Sequence, residues 1–128
     1  MGLIVPVDDL ILFQKTYDFL LWFYPLIQRL PKHHRATLGK QLEELSLSIL
    51  LAELTANADR KTDRYLKQLH VSMELEKLRI LIRLTKDLHF ISIKQYTYIA
   101  KKINEIAKIL VGWMKVTVST DVLVKKIN

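Results

Sequence analysis

His33 and His34 stand side by side in the stretch LPKHHRATLGKQL (30–42), and two imidazoles could serve a metal ion if both reached it. On a helix, adjacent side chains diverge by about 100°, so this pair cannot chelate together. His70 and His89 are isolated, with no HExxH or comparable i, i+4 pair. The carboxylates suit acid–base work no better. Glu43 and Glu44 are adjacent, and Glu74 and Glu76 lie two apart, so both pairs splay on a helix. The inward Glu and Glu-x-x-His pattern of di-iron bundles is missing, as are a Gly-rich phosphate loop and a nucleophile elbow. Ser46 and Ser48 have no nearby His, and the absence of Cys excludes disulfides and thiolate chemistry. The expectation is a protein without catalytic residues, metal or cofactor.

The basic residues are the stronger signal. Lys32, Arg35 and Lys40 surround what reads as a helix start, where the helix dipole disfavours cations. Arg60, Lys61, Arg64 and Lys67 form a second cluster over the opening turns of another helix. Lys77, Arg79, Arg83 and Lys86 form a third, in which Arg79 and Arg83 share a face at i, i+4. Lys94, Lys101, Lys102 and Lys108 add a fourth. Such clusters neutralise phosphates with steeply salt-dependent affinity. The interleaved Asp63, Glu74, Glu76, Asp87 and Glu105 leave open that they are solubilising surface charge.

The elements that hold these residues read as helices. The 128 residues contain three Gly and three Pro and no Asn-Gly or Asp-Gly hairpin signal. One helix is expected over 9–30, with Leu10, Phe13, Tyr17, Leu20 and Tyr24 inward and a kink or break at Pro25. A second spans 32–57, with Leu38, Leu42, Leu45, Ile49, Ala52 and Ala56 on one face. A third starts near Asp59–Thr62 and ends near Leu88, with Leu66, Leu69, Met73, Ile80, Leu81, Leu84 and Leu88 inward. The fourth opens on the capping box Ser92-x-x-Gln95 and points Tyr96, Ile99, Ile103, Ile106, Leu110 and Trp113 inward. Short connections favour an all-α, antiparallel up-and-down four-helix bundle over residues 1–116. Past Lys115 the helical period fades into β-branched text, so 117–128 is expected to be a flexible or partner-bound tail.

Two global properties pull apart. Half the residues are hydrophobic and mean hydropathy is +0.12, yet the net charge is +7. Trp22, Phe19, Phe23, Leu47, Leu51, Leu75, Leu78 and Ile82 fall off the main faces, more apolar surface than a lone bundle needs, which argues for a subunit interface. Residues 60–91 and 92–128 carry net +4 and +5, against −1 for each of 1–31 and 32–59, so the positive field belongs to the second half. No signal-peptide pattern opens the chain, and its longest strongly apolar run is nine residues, so a cytoplasmic protein with no membrane partner is expected.

Several stretches together resemble the accessory variability determinant (Avd) proteins of diversity-generating retroelements, which are close in fold to the four-helix proteins encoded in 23S rRNA intervening sequences. They are LLWFYPLIQRLPK (20–32), TLGKQLEEL (37–45), LAELTANA (51–58), LEKLRILIRLTKDL (75–88) and KQYTYIAKKINEIAKILVGWMK (94–115). Departures are Ala107 and Val111 where that family often has Gly, and His33–His34–Arg35 where it commonly reads Ser-Glu-Arg. The resemblance implies a homopentameric, barrel-like assembly, bacterial or phage-encoded, that binds a reverse transcriptase and its template RNA, with DNA as a further ligand, in support of mutagenic retrohoming. On that reading Lys32, Arg35, Lys40, Arg60, Arg64, Lys67, Arg79, Arg83, Lys86, Lys101 and Lys102 are the contact candidates. Gly112 would allow close helix approach and Trp113 would fill the bundle end, a base-stacking platform being its sharper alternative. The rival readings are an rRNA intervening-sequence-type protein with no polymerase partner and a purely structural oligomeric bundle.

Overall fold

The computed structural model describes the backbone of residues 7–58 and 61–127, and the side-chain surroundings of 11–57 and 63–119. The elements are α1 (Val7–Gln28), a short α2 (Lys32–His34), a π-helical turn (Arg35–Gly39), α3 (Lys40–Ala58), α4 (Lys61–Asp87) and α5 (Ile93–Ile127), with no strand among the described residues. The four long helices form a ring in which α1 and α4 each pack on both α3 and α5. Cross-helix contacts fix their directions. Gln28 meets Glu43 and Thr16 meets Glu53 between α1 and α3, while Arg79 meets Asn104 and Gln68 meets Thr117 between α4 and α5. In each pair one number rises as the other falls, so neighbours run antiparallel and the chain is an up-and-down four-helix bundle.

Local chemistry explains the helix ends. The Ser92 Oγ accepts the Gln95 N–H at 3.0 Å, and Gln95 Oε1 accepts the Ser92 N–H at 2.8 Å, so the expected capping box starts α5. Ser92→Ala is expected to lower stability by about 1 kcal/mol, read as a shifted denaturant midpoint with unchanged slope. The end of α4 is a Schellman turn. Phe90 N–H reaches Thr85 O at 3.0 Å and His89 N–H reaches Lys86 O at 2.9 Å, with His89 at φ 65° in the left-handed position usually given to Gly. Pro25 lies within the last turn of α1 and does not divide it. Helix α1 then closes through single-turn bonds from Arg29 N–H to Leu26 O and from Leu30 N–H to Ile27 O. Beyond Lys115, where the sequence loses its period, the backbone continues α5 as helix through Ile127.

Burial confirms two faces and reverses another. Leu42, Leu45, Ile49 and Ala56 of α3 are buried as expected, as are Ile99, Ile103, Ile106, Leu110 and Trp113 of α5. In α4 the core side is Val71, Leu75, Leu78 and Ile82, three of which were expected to lie off the core. The residues expected inside point outward: Leu66 is 64% exposed, Met73 62% and Ile80 67%, with Leu69, Leu84 and Leu88 also exposed and Leu81 partly buried. The two sets lie about 180° apart at 100° per residue, so α4 carries two apolar faces and the bundle uses the one opposite to the expected one. In α1 the same correction is smaller. Tyr17 is exposed, whereas Phe19 and Phe23 are buried and stack at 5.1 Å between ring centroids.

The close approach expected at Gly112 occurs at Gly39 instead. A Cβ on Gly39 would lie 3.5 Å from Ile27 Cγ2 and 3.6 Å from Leu30 Cδ1, whereas one on Gly112 would meet nothing within 4 Å. Gly112 is exposed, because its side of α5 faces away from the other helices. Trp113, 3% exposed, is part of the core and offers no face to a base.

Candidate nucleic-acid interface

The stretch around His33–His34 is a helix start without a counter-charge. Pro31 caps α2 with no side-chain hydrogen bond, and no acid lies in the first turn. His34 places its ring 4.4 Å from that of Phe90, tying α2 to the α4–α5 turn. His70 Nε2 lies 3.7 Å from Glu74 Oε1, and His89 occupies the left-handed turn position. Lys32 and Arg35 are exposed, and Lys40 reaches only Glu44 of its own helix at 3.9 Å.

The expected contact residues divide by what already holds them. Arg60 lies outside the described residues. Arg64 donates to Ala56 O and Asn57 O, both at 3.2 Å, and so closes the carbonyl end of α3. Lys67 is partly buried and has a partner of its own. Arg79 donates to Asn104 Oδ1 at 2.6 Å and lies 3.1 Å from Glu76, while Arg83, on the same side, is loosely paired with Asp87 at 3.9 Å. Lys86 sits over the Tyr96 ring at 4.5 Å and 3.3 Å from Asp87. Lys101 and Lys102 are neighbours in sequence and diverge in space. Lys102 turns toward α1, near Tyr98 and 3.6 Å from Glu105, which Lys15 also approaches at 3.7 Å. Lys101 is exposed, and among the described residues no carboxylate lies within salt-bridge reach of it.

The fold thus gathers Arg79, Arg83 and Lys86 near the seam of α4 and α5 and sets Lys101 on the outer face of α5. It leaves Lys32, Arg35 and Lys40 on the stretch that leads into α3. Lys108 and Lys115 join Lys101 on that outer face. They line the same shallow depression as Lys101, Asn104 and Ala107, and both are exposed. Their signal in the sequence is the seven-residue spacing of Lys94, Lys101, Lys108 and Lys115, which repeats one helical face.

The carboxyl of Glu53 lies away from this surface, among the described residues of the bundle interior. Glu53 is 3% exposed between α1 and α3. Burial pushes its carboxyl from 4.5 up to about 8, against the opposing effect of the Thr16 hydroxyl, which donates to Oε2 at 2.7 Å. Its Oε1 has no hydrogen-bond partner. Among the described residues no cluster of three potential metal ligands occurs, and no helix is long and apolar enough to cross a membrane.

A family described as bAvd-like matches this chain over residues 10–117. The fold is similar to that of a protein of unknown function from the S23 ribosomal protein family of Bacteroides thetaiotaomicron VPI-5482. That similarity has a TM-score of 0.78 and 22% sequence identity, covering 85% of this chain and 99% of the other. No curated protein matches the chain.

Proposed function

The chain belongs to the bAvd-like family, and on that premise we propose that it is a non-catalytic accessory protein of a diversity-generating retroelement. It binds the reverse transcriptase and its template RNA through a basic surface and so supports mutagenic cDNA synthesis and retrohoming. It acts in the cytoplasm as a ring of identical bundles, a pentamer. The observation that carries this reading is the positive field of α4 and α5, whose exposed bases outnumber the acids that could neutralise them. Five copies in a closed ring would multiply that field, and a field of several kT steers a polyanion to its site. The wide exposed apolar face of α4 supports the assembly, since a lone soluble bundle rarely leaves such a stripe in water.

The test is binding to structured RNA across a salt series, with the charge-reversed variant Arg79→Glu/Arg83→Glu alongside and capture of the cognate reverse transcriptase as a second readout. A steep negative salt slope is expected, with the reversal weakening RNA affinity at least about tenfold. Salt-independent or absent RNA binding would sink the reading. RNA binding without capture of any polymerase would favour the rRNA intervening-sequence alternative.

A further inference from the structure

We infer that the apolar depression between α1 and α3 is the seat for the exposed α4 stripe of a second copy of this chain, so that neighbouring copies join through unlike faces. This rests on the ring proposed above and assigns the two surfaces that meet in it.

The seat is built by two helices. Tyr17, Leu20, Leu21 and Tyr24 of α1 and Leu47 and Leu50 of α3 line it, and its walls are almost wholly apolar. Leu21 is 62% exposed, and Tyr17 and Leu47 are exposed as well. On α3, Leu51 and Leu54 continue from Leu47 at i+4 and i+7 and are also exposed. The register that joins Gln28 to Glu43 and Thr16 to Glu53 sets Tyr24 level with Leu47 and Tyr17 level with Leu54. Two apolar rows therefore run side by side along a seam, and a third helix can lie between them as a ridge in a groove.

The stripe has the opposite form. Leu66, Leu69, Met73, Ile80 and Leu84 make one row on a single helix, exposed within the protomer. Helix α4 packs on α3 and α5, and α1 lies across the bundle from it, so a copy cannot fill its own seat. Two stripes laid on each other would form an isologous pair and leave both seats in water. A stripe laid in a neighbour's seat covers both faces of every copy. It also leaves a stripe and a seat free at the ends until the chain of contacts closes on itself, which is how unlike faces generate a ring.

Charge separates the two pairings. Lys77 stands on the stripe between Met73 and Ile80, and Arg83 adjoins Leu84, in a segment of net +4. Lys77 lies 3.3 Å from Glu74, and its side chain is still more than half exposed. Two such stripes face to face would bring like charges together. The seat belongs to the half of the chain in which residues 1–31 and 32–59 each carry net −1. Asp18 beside Tyr17 bonds only Gln14, and Glu43 at the Gln28 end bonds only Gln28. Among the described residues neither acid has a base within salt-bridge distance, although Arg29 also lines the depression. Basic stripe and acid-rimmed seat are complementary, and this favours the unlike pairing.

The full-length protein is sized by light scattering beside the seat variant Leu21→Glu/Leu47→Glu. The wild type is expected to run as a larger particle and the variant near 15.0 kDa, with helical circular dichroism unchanged. Because the chain has no cysteine, introduced ones report the contact directly. Leu47→Cys/Met73→Cys, treated with a bismaleimide that spans about 10 Å, one helix spacing, is expected to give a covalent ladder beyond the dimer. Leu47→Cys alone and Met73→Cys alone should stay monomeric on a denaturing gel. A seat variant that keeps the wild-type mass, a double cysteine variant without a ladder, or Met73→Cys that crosslinks to itself would overturn the pairing of unlike faces while leaving the ring standing. Wild type at 15.0 kDa would overturn both. If the seat variant loses its helical signal, the crosslinking pattern decides alone, since Leu47 and Met73 are exposed and Cys is a small apolar replacement.

Discussion

Glu53→Gln is expected to stabilise the protein above pH 8 and to leave it nearly unchanged near pH 4.5, removing most of the pH dependence between the two. In the unfolded chain this carboxyl ionises at its ordinary 4.5, while in the fold burial keeps it protonated up to about 8. Between those values the folded protein therefore holds a proton that the unfolded chain has released. Stability is fully present below 4.5, falls as pH rises toward 8, and levels beyond it. At about 1.4 kcal/mol per pH unit the accumulated loss is on the order of 5 kcal/mol, a large part of the stability of an ordinary domain. Gln has nearly the shape of the protonated acid and keeps an acceptor for the Thr16 hydroxyl, so it avoids the cost of ionising in the core. Urea midpoints of both proteins between pH 4.5 and 9 read the difference. Parallel pH profiles for the two would show that Glu53 titrates normally in the fold.

Nothing in the sequence marks Glu53 as unusual. It sits in LAELTANA as an ordinary helix glutamate, and its partner Thr16 lies 37 residues away on α1. What singles it out is its burial where α1 packs on α3, a property of the folded chain alone. The same holds for Arg64. In sequence it is one base in a run, yet its guanidinium reaches back eight residues to seal the end of α3. By contrast α5 was legible from its start to Trp113, because it has one apolar stripe at a steady three–four interval and one capping box there, and it was missed beyond Lys115, where β-branched residues hide the helical period. The lysines of α5 read in sequence as scattered bases, and the seven-residue repeat of Lys101, Lys108 and Lys115 stands out only once they are seen together on one exposed face of the helix.

Helix α4 was misread for a reason that carries functional weight. Val71, Leu75, Leu78 and Ile82 satisfy the helical period, and so do Leu66, Leu69, Met73, Ile80 and Leu84 on the other side. Periodicity detects a stripe without saying which of two stripes meets the core. The bundle buries the first set. The second would be covered in the proposed ring, which accounts for a hydrophobic content of 50% in a chain whose net charge is +7. Burying side chains of this size yields about 1.5–3 kcal/mol each, and a charge placed among them must be desolvated without a partner. Met73→Glu/Ile80→Glu is therefore expected to break the assembly and leave the bundle intact, because both positions are more than 60% exposed within the protomer. Light scattering should then report a species near 15.0 kDa in place of the larger wild-type particle, with helical circular dichroism unchanged. RNA affinity should fall with it, since a lone protomer presents one basic seam where the ring presents several. Should the double variant keep the wild-type mass, the α4 stripe is not the contact between copies. Should the wild type itself run at 15.0 kDa, the ring fails with it, and the stripe must be covered by a different protein.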